Sequence, residues 1–222
     1  MDNSGFIPLD WNEVPLKEMK ERAKEILSVA QMRRTTRHFS TREVPKELIE
    51  KAILTGGTAP NGAHLQPWTW VVISNQELKK KIREAAEQEE LKTYQSRMPE
   101  AWKEVLDPLG TDHFKPHLTD APWIVVLFKQ TKRLRPNGEM APTYYSVESC
   151  GIAAGMFISA IHRIGLTTLT HTPSPMGFLR NILGRPRHED ALLVLPVGYP
   201  AEGAMVPDIH RKTLDEISVW FE

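Results

Sequence analysis

The segment 123–129, Trp-Ile-Val-Val-Leu-Phe-Lys, constrains this chain more than any other. It is apolar without alternation and rich in β-branched and aromatic residues, the pattern of a strand with no solvated face. The fold is therefore built around a central strand at this position. Flanking periodicities supply its neighbours. Met19, Ala23, Ile26, Leu27 and Ala30 recur at helical spacing across 15–32, with Pro15 suited to a first-turn position. Pro45 opens a second helix that points Leu48, Ile49, Ala52 and Ile53 inward and ends at Gly56-Gly57. Residues 68–74 read as a strand, followed by a charged helix over 76–98 with Leu78, Ile82 and Ala85 on its apolar face and Pro99 as its stop. Pro136-Asn137-Gly138 marks an exposed turn within 133–142. A long apolar helix over 144–163 closes at Gly165, and short strands at 166–170 and 192–197 bracket a helix around 178–183. The class is α+β.

With 222 residues the chain can bury one good core, and we read a single domain over 1–222. Its 28 Lys and Arg balance 28 Asp and Glu, which removes the electrostatic case for nucleic acid or an anionic membrane as partner and leaves a small, locally charged ligand. The start has no basic n-region, and the longest apolar stretch, 151–161, is too short and too rich in Gly and Ala to span a bilayer, so a cytoplasmic protein is expected. The single cysteine, Cys150, excludes an internal disulfide and a cysteine-rich metal site and reads as a buried small hydrophobe. The eight histidines show no metal-ligating spacing, so no metal is expected. The tail 214–221 carries Ile217, Val219, Trp220 and Phe221 after a crossing over 198–212 and must pack either on its own core or on a partner subunit.

Four segments carry chemistry. Arg33-Arg34-Thr35-Thr36-Arg37 is either a phosphate clamp or a basic helix end complementing the macrodipole. The turn 58–64 offers backbone N–H groups to a flat ligand, and Thr170-His171-Thr172-Pro173 offers hydroxyl or N–H donors at a strand end. Glu90 and Tyr94, one helical turn apart, with Lys115 in a later polar loop, are what a cleft would need to hold an amino-acid zwitterion, or they are a solvated helix face. No glycine-rich phosphate loop follows a strand, so a nucleotide would be a mononucleotide held by arginines.

The arginine cluster, the Thr58-Ala59-Pro60-Asn61-Gly62-Ala63-His64 loop ahead of Gln66-Pro67-Trp68, the Thr-Pro strand end and Pro196-Val197-Gly198-Tyr199-Pro200 together resemble the FMN-dependent nitroreductase superfamily. Within it, Glu89-Glu90 with Tyr94, then Arg97-Met98, Thr111-Asp112 with Lys115, and Asp120-Ala121-Pro122 make the chain similar to the iodotyrosine deiodinases, here a soluble bacterial-type member without the membrane anchor of the animal enzymes. The resemblance implies a central mixed or antiparallel sheet flanked by helices and a homodimer with FMN at its interface. It also implies a lid over 88–118 and an exchanged C-terminal crossing and arm over 201–222.

By the same resemblance Arg33, Arg34, Thr35, Arg37 and Arg211 hold the FMN phosphate, ribityl chain and pyrimidine edge, and Pro60, Asn61 and Gly62 lie against the flavin face. Thr170 and Thr172 sit at the flavin edge, with Thr172 donating to N5 and favouring one-electron steps. Glu90, Tyr94 and Lys115 grip the amino-acid end of a halogenated tyrosine, and the Ala63 N–H receives its phenolate oxygen. Asn61 departs from the serine of animal members, which leaves the hydrogen bonding of N5 open before substrate arrives. The implied activity is reductive dehalogenation, NADP-linked, with the immediate electron donor or reductase unidentified. A general nitroreductase or quinone reductase, and a non-enzymatic FMN or ligand binder, are the alternatives.

Overall fold

The computed structural model describes residues 5–222, which form two compact units, 5–33 and 34–222. The first unit carries helix α1 (Leu16–Met32). Pro15 caps this helix with an extended backbone instead of occupying its first turn. None of its residues is buried, and Met19, Ile26 and Leu27 of its apolar stripe stand exposed. The stripe is amphipathic as predicted, and its apolar residues are exposed.

The second unit runs α2 (Lys46–Gly57), β1 (Trp68–Ile73), α3 (Gln76–Lys92), α4 (Glu100–Leu106), α5 (His117–Asp120), β2 (Trp123–Gln130), β3 (Lys132–Leu134), β4 (Met140–Pro142), α6 (Ser146–Arg163), β5 (Thr167–Thr168), α7 (Gly177–Ile182), β6 (Glu189–Gly198) and α8 (Leu214–Ile217). The main sheet has the order β1-β2-β6-β5 with every pair antiparallel, and a single parallel bridge joins Thr35 to Thr168. The expected central strand is β2, fully buried from Ile124 to Phe128. Its lack of alternation has a direct cause. Val125 packs with Ile49, Ala52, Phe157 and Ile161 of α2 and α6, whereas Ile124, Val126 and Phe128 pack on the other face with Ile82, Ala86, Leu118 and Leu179 of α3, α5 and α7. Each such side chain contributes about 1.5–3 kcal/mol of burial. Gly56 lets α2 approach α6, since a Cβ there would lie 3.0 Å from the Ala153 carbonyl and 3.1 Å from the Trp70 ring.

Several boundaries differ from the sequence reading. The charged helix stops being α-helical at Lys92 and continues as a π turn over Thr93–Arg97, closed by the Met98 N–H on the Thr93 carbonyl at 2.9 Å. The turn at 136–138 is flanked by two short strands that pair as a hairpin, β3 with β4. Strand β5 is shorter than expected, and β6 is the longest strand, beginning at buried Glu189, whose carboxylate is satisfied by Arg185 at 2.7 Å and by the Thr69 hydroxyl at 2.8 Å. Cys150 is buried beside Leu127 and Ala154, and burial pushes its thiol up to about 12, in keeping with a small hydrophobe. No helix among the described residues is long and apolar enough to cross a membrane.

Candidate functional site

A cleft of about 160 Å³ opens where the end of α3 and the π turn, the loop 111–115 and the strand end 169–172 converge. It is lined by Glu90, Tyr94 and Lys115 together with Arg37, Thr170 and Thr172. Glu90 and Tyr94 reach it because residues four apart share a helix face. The π turn begins between them, its Thr93 hydroxyl bonded back to the Glu89 carbonyl at 3.0 Å. Lys115 Nζ lies 3.4 Å from the Glu90 carboxylate, with side-chain exposures of 5% and 16%. The same ammonium contacts the Asp112 carbonyl and lies 5.9 Å from the centroid of the Tyr94 ring. The Tyr94 hydroxyl donates to the Thr111 carbonyl at 3.0 Å. Burial pushes the Glu90 carboxyl above its ordinary value, opposed by Lys115, and burial likewise raises the Tyr94 phenol. A desolvated acid and ammonium held together in one cleft make a site that can exchange its internal pairing for a ligand carrying both charges.

The floor was not legible in the sequence. His171 exchanges backbone hydrogen bonds with Val194 at 2.8 and 2.9 Å, which pins it against β6. His171 is buried while Thr170 and Thr172 on either side of it are exposed, and all three line the cleft. The His171 ring meets His117 edge-on at 5.2 Å, and both rings line the cleft. Burial lowers His117 to about 3 and His171 to about 2, helped by the nearby charges of Lys115 and Arg37. The imidazoles are therefore neutral at physiological pH. Trp102, Leu106 and Met98 add an apolar wall that single-residue motifs did not reveal.

The remaining expected residues lie outside this lining. Thr35 bridges Thr168, and buried Thr36 accepts from the Thr167 hydroxyl at 2.6 Å, which lays the segment after Arg34 along β5 and turns half-buried Arg37 to the cleft. The Arg34 guanidinium contacts the Pro207 carbonyl on the crossing that leads to exposed Arg211. Arg33 belongs to the first unit, where its N–H caps α1 through the Ala30 carbonyl. The 60–63 loop is rigid. Asn61 donates to the Ala59 carbonyl at 3.1 Å and accepts from the Gln66 N–H at 2.8 Å, so both ends of its amide are engaged within the loop. Ala63, His64 and Gln66 are held at φ of 50°, 54° and 47°, which costs non-glycine residues about 1 kcal/mol or more each. A Cβ at Gly62 would lie 3.1 Å from the Tyr145 ring and 3.2 Å from the Tyr144 carbonyl, a tight fit that glycine avoids. Guanidinium groups at Arg34 and Arg37, hydroxyls at Thr35, Thr170 and Thr172, and a pre-formed turn at 60–63 are the donor set that an FMN phosphate and a flat, polar-edged ring require. The residues present fit that cofactor.

Comparison with known proteins agrees. The Nitroreductase family model matches residues 30–199. The chain is 50% identical over 207 residues to an iodotyrosine deiodinase of Haliscomenobacter hydrossis, covering 93% of each protein. It is 43% identical over 219 residues to iodotyrosine deiodinase 1 of Homo sapiens, covering 98% of this chain and 76% of the human protein. Its structure is similar to that of oxidized iodotyrosine deiodinase bound to FMN and 3-iodo-L-tyrosine, with a TM-score of 0.76 and 25% identity over 88% of this chain and all of that one. A nitroreductase with bound FMN from Bacteroides fragilis shares the fold at a TM-score of 0.63 and 17% identity, covering 89% of this chain and 98% of that one.

Proposed function

This chain belongs to the nitroreductase family and, within it, to the iodotyrosine deiodinases, and from that premise we propose that it is an FMN-dependent oxidoreductase that removes halogen reductively from halogenated tyrosines. The overall change consumes two electrons and one proton. The carbon–iodine bond breaks, iodide leaves, and a carbon–hydrogen bond takes its place, giving tyrosine. The observation that carries this reading is the Glu90–Lys115 pair at 3.4 Å in the same cleft as Arg37, Thr170 and Thr172. A flat, uncharged acceptor would gain nothing from a buried acid and ammonium, whereas an amino acid satisfies both.

Lys115 pairs with the substrate carboxylate, Glu90 with its ammonium, and the Tyr94 hydroxyl serves either, each charge-assisted bond contributing about 1.5–3 kcal/mol. The Ala63 N–H, fixed by the stapled loop, receives the phenolate oxygen as a preorganised dipole. Arg33, Arg34, Thr35, Arg37 and Arg211 hold the FMN phosphate, ribityl chain and pyrimidine edge. Pro60, Asn61 and Gly62 back the flavin face; because the Asn61 amide is engaged within its loop, its role is to shape that face. Thr170 and Thr172 stand at the flavin edge, Thr172 donating to N5. When bound, FMN supplies the reducing electrons, and the protein supplies position, charge and exclusion of water.

The working form is a cytoplasmic homodimer of a single nitroreductase-like domain over 1–222, with a lid over 88–118 and a C-terminal crossing and arm over 201–222 exchanged between subunits. Unpartnered apolar surface supports the dimer: Ile26 and Leu27 on α1, Val147 and Ile152 on α6, and Val219, Trp220 and Phe221 on the arm are all exposed. The electron donor is a separate reductase or a reduced pyridine nucleotide. The reading is tested by presenting the reduced, FMN-loaded protein with 3-iodotyrosine and with an uncharged nitroarene. Oxidation of the flavin should be faster with the iodotyrosine; preference for the nitroarene makes the protein a general nitroreductase, and no reaction with either makes it a binding protein.

A further inference from the structure

We propose that Glu87 is a positioning residue for the substrate carboxylate, acting through the backbone of Lys115; this rests on the reading of Lys115 given above. Lys79, Arg83 and Glu87 follow one another at intervals of four along α3, and Glu90 continues the stripe one turn later. Lys79 is buried, and Arg83 and Glu87 are half-buried. They hold the segment 115–121 that delivers Lys115 to the cleft. The Lys115 N–H donates to Glu87 Oε1 at 2.7 Å, and the same oxygen accepts from Arg83 Nε at 2.7 Å. Arg83 Nη1 donates to the Thr119 hydroxyl at 2.9 Å, which in turn bonds the Pro116 carbonyl at 3.0 Å. Lys79, fully buried, donates to the carbonyls of Thr119 at 3.0 Å and Ala121 at 2.7 Å.

The two carboxylates thus divide the work. Glu87 has its charge compensated by Arg83, so it does not compete for the substrate ammonium, and its oxygen is committed to a backbone N–H. Glu90 pairs with the Lys115 ammonium at 3.4 Å and is available to a ligand. Within the lid range itself, α4 has no buried residue. A lysine side chain has four rotatable bonds, and holding its ammonium 3.4 Å from Glu90 requires a fixed Cα as the starting point. Were Glu87 merely half of a surface pair with Arg83, its removal would change binding little.

The test is a mutant cycle on the FMN-loaded full chain, with 3-fluorotyrosine as an inert ligand and quenching of flavin fluorescence giving Kd. Glu87→Ala should raise Kd about tenfold, with coupling to Lys115 of the size expected for residues in direct contact. Glu87→Gln retains an oxygen for the Lys115 N–H and should stay within about threefold of the parent. In a Lys115→Met background, Glu87→Ala should change Kd by less than about twofold, because the group it positions is gone. FMN affinity should be unchanged in the Glu87 and Thr119 variants. Thr119→Val, which removes the Arg83 anchor without altering the charge of α3, should weaken ligand by about threefold and serves if Glu87→Ala fails to fold. Equal losses in both backgrounds, a Gln variant as damaged as the Ala variant, or parallel loss of FMN overturns the positioning role. If Lys115→Met itself leaves Kd unchanged, the assignment of Lys115 falls and the positioning role falls with it; a Lys115 effect without coupling to Glu87 overturns the latter alone.

Discussion

Replacing Lys115 by Met should cost more than one hydrogen bond, because Glu90 is left behind in a site where its side chain is 16% exposed. At 3.4 Å and an effective dielectric of about 20, the gross Coulomb attraction in the pair is about 5 kcal/mol, most of it offset by desolvation of both groups. The direct loss to a bound amino acid is one charge-assisted bond, about 1.5–3 kcal/mol, or roughly 10- to 150-fold in Kd. The indirect loss follows from Glu90. Burial already raises its carboxyl, and Lys115 is the chief influence opposing that rise. Without the ammonium, Glu90 protonates more readily and forfeits its own charge-assisted bond to the ligand ammonium, bringing the expected penalty to about 1000-fold where Glu90 is fully protonated. Because a raised carboxyl is recharged as pH rises, the ratio of mutant to parent Kd should shrink with rising pH. The ionisation of the ligand is common to both proteins and cancels in that ratio. Titration of FMN-loaded protein with 3-fluorotyrosine at several pH values measures it. A mutant within about threefold of the parent, or a ratio independent of pH, refutes the linked-charge argument.

His117 and His171 are neutral in the fold, lowered to about 3 and about 2, but protonate below pH 6.5 when the chain unfolds. The unfolded state then binds more protons, so stability should fall as pH drops from about 6.5 towards 3, by up to about 1.4 kcal/mol per pH unit for each histidine. Denaturant midpoints at successive pH values check this, and His171→Phe should flatten the dependence; an unchanged slope removes His171 from the account. Deleting 213–222 should convert a dimer to a concentration-dependent monomer by light scattering, since Val219, Trp220 and Phe221 are exposed in the single chain. An unaltered dimer would assign the interface to α1 and α6 alone.

The core was legible because it follows from pattern: an unalternating β2 requires cover on both faces, and α2, α3 and α6 provide it. The site was legible only in part. Glu90, Tyr94 and Lys115 meet as expected because two of them lie one turn apart and the third is carried on a segment tied to the same helix. Lys79, Arg83 and Glu87 read as solvated charge, since sequence does not reveal that backbone carbonyls and an N–H of a later segment await them. His171 was hidden for the opposite reason. Between two threonines it looks like part of a polar strand end, and only its pairing with Val194 decides which side it faces. The extent of β5 and β6 depended on pairing partners that local composition does not specify. The apolar stripe of α1 and the apolar residues of the arm were evident in the sequence, and the structure leaves both exposed.

The central claim, that the Glu90–Lys115 cleft directs reducing electrons to a halogenated amino acid, is tested most directly by anaerobic single turnover. Protein loaded with FMN and reduced is mixed with 3-iodotyrosine or with 2-iodophenol, and released iodide is measured against flavin. The account predicts about one iodide per reduced flavin from iodotyrosine, because the reaction consumes two electrons per halide. With 2-iodophenol it predicts little or none at the same concentration, since that compound leaves both charges of the cleft paired with one another. Equal release from the two compounds, or none from iodotyrosine, contradicts it.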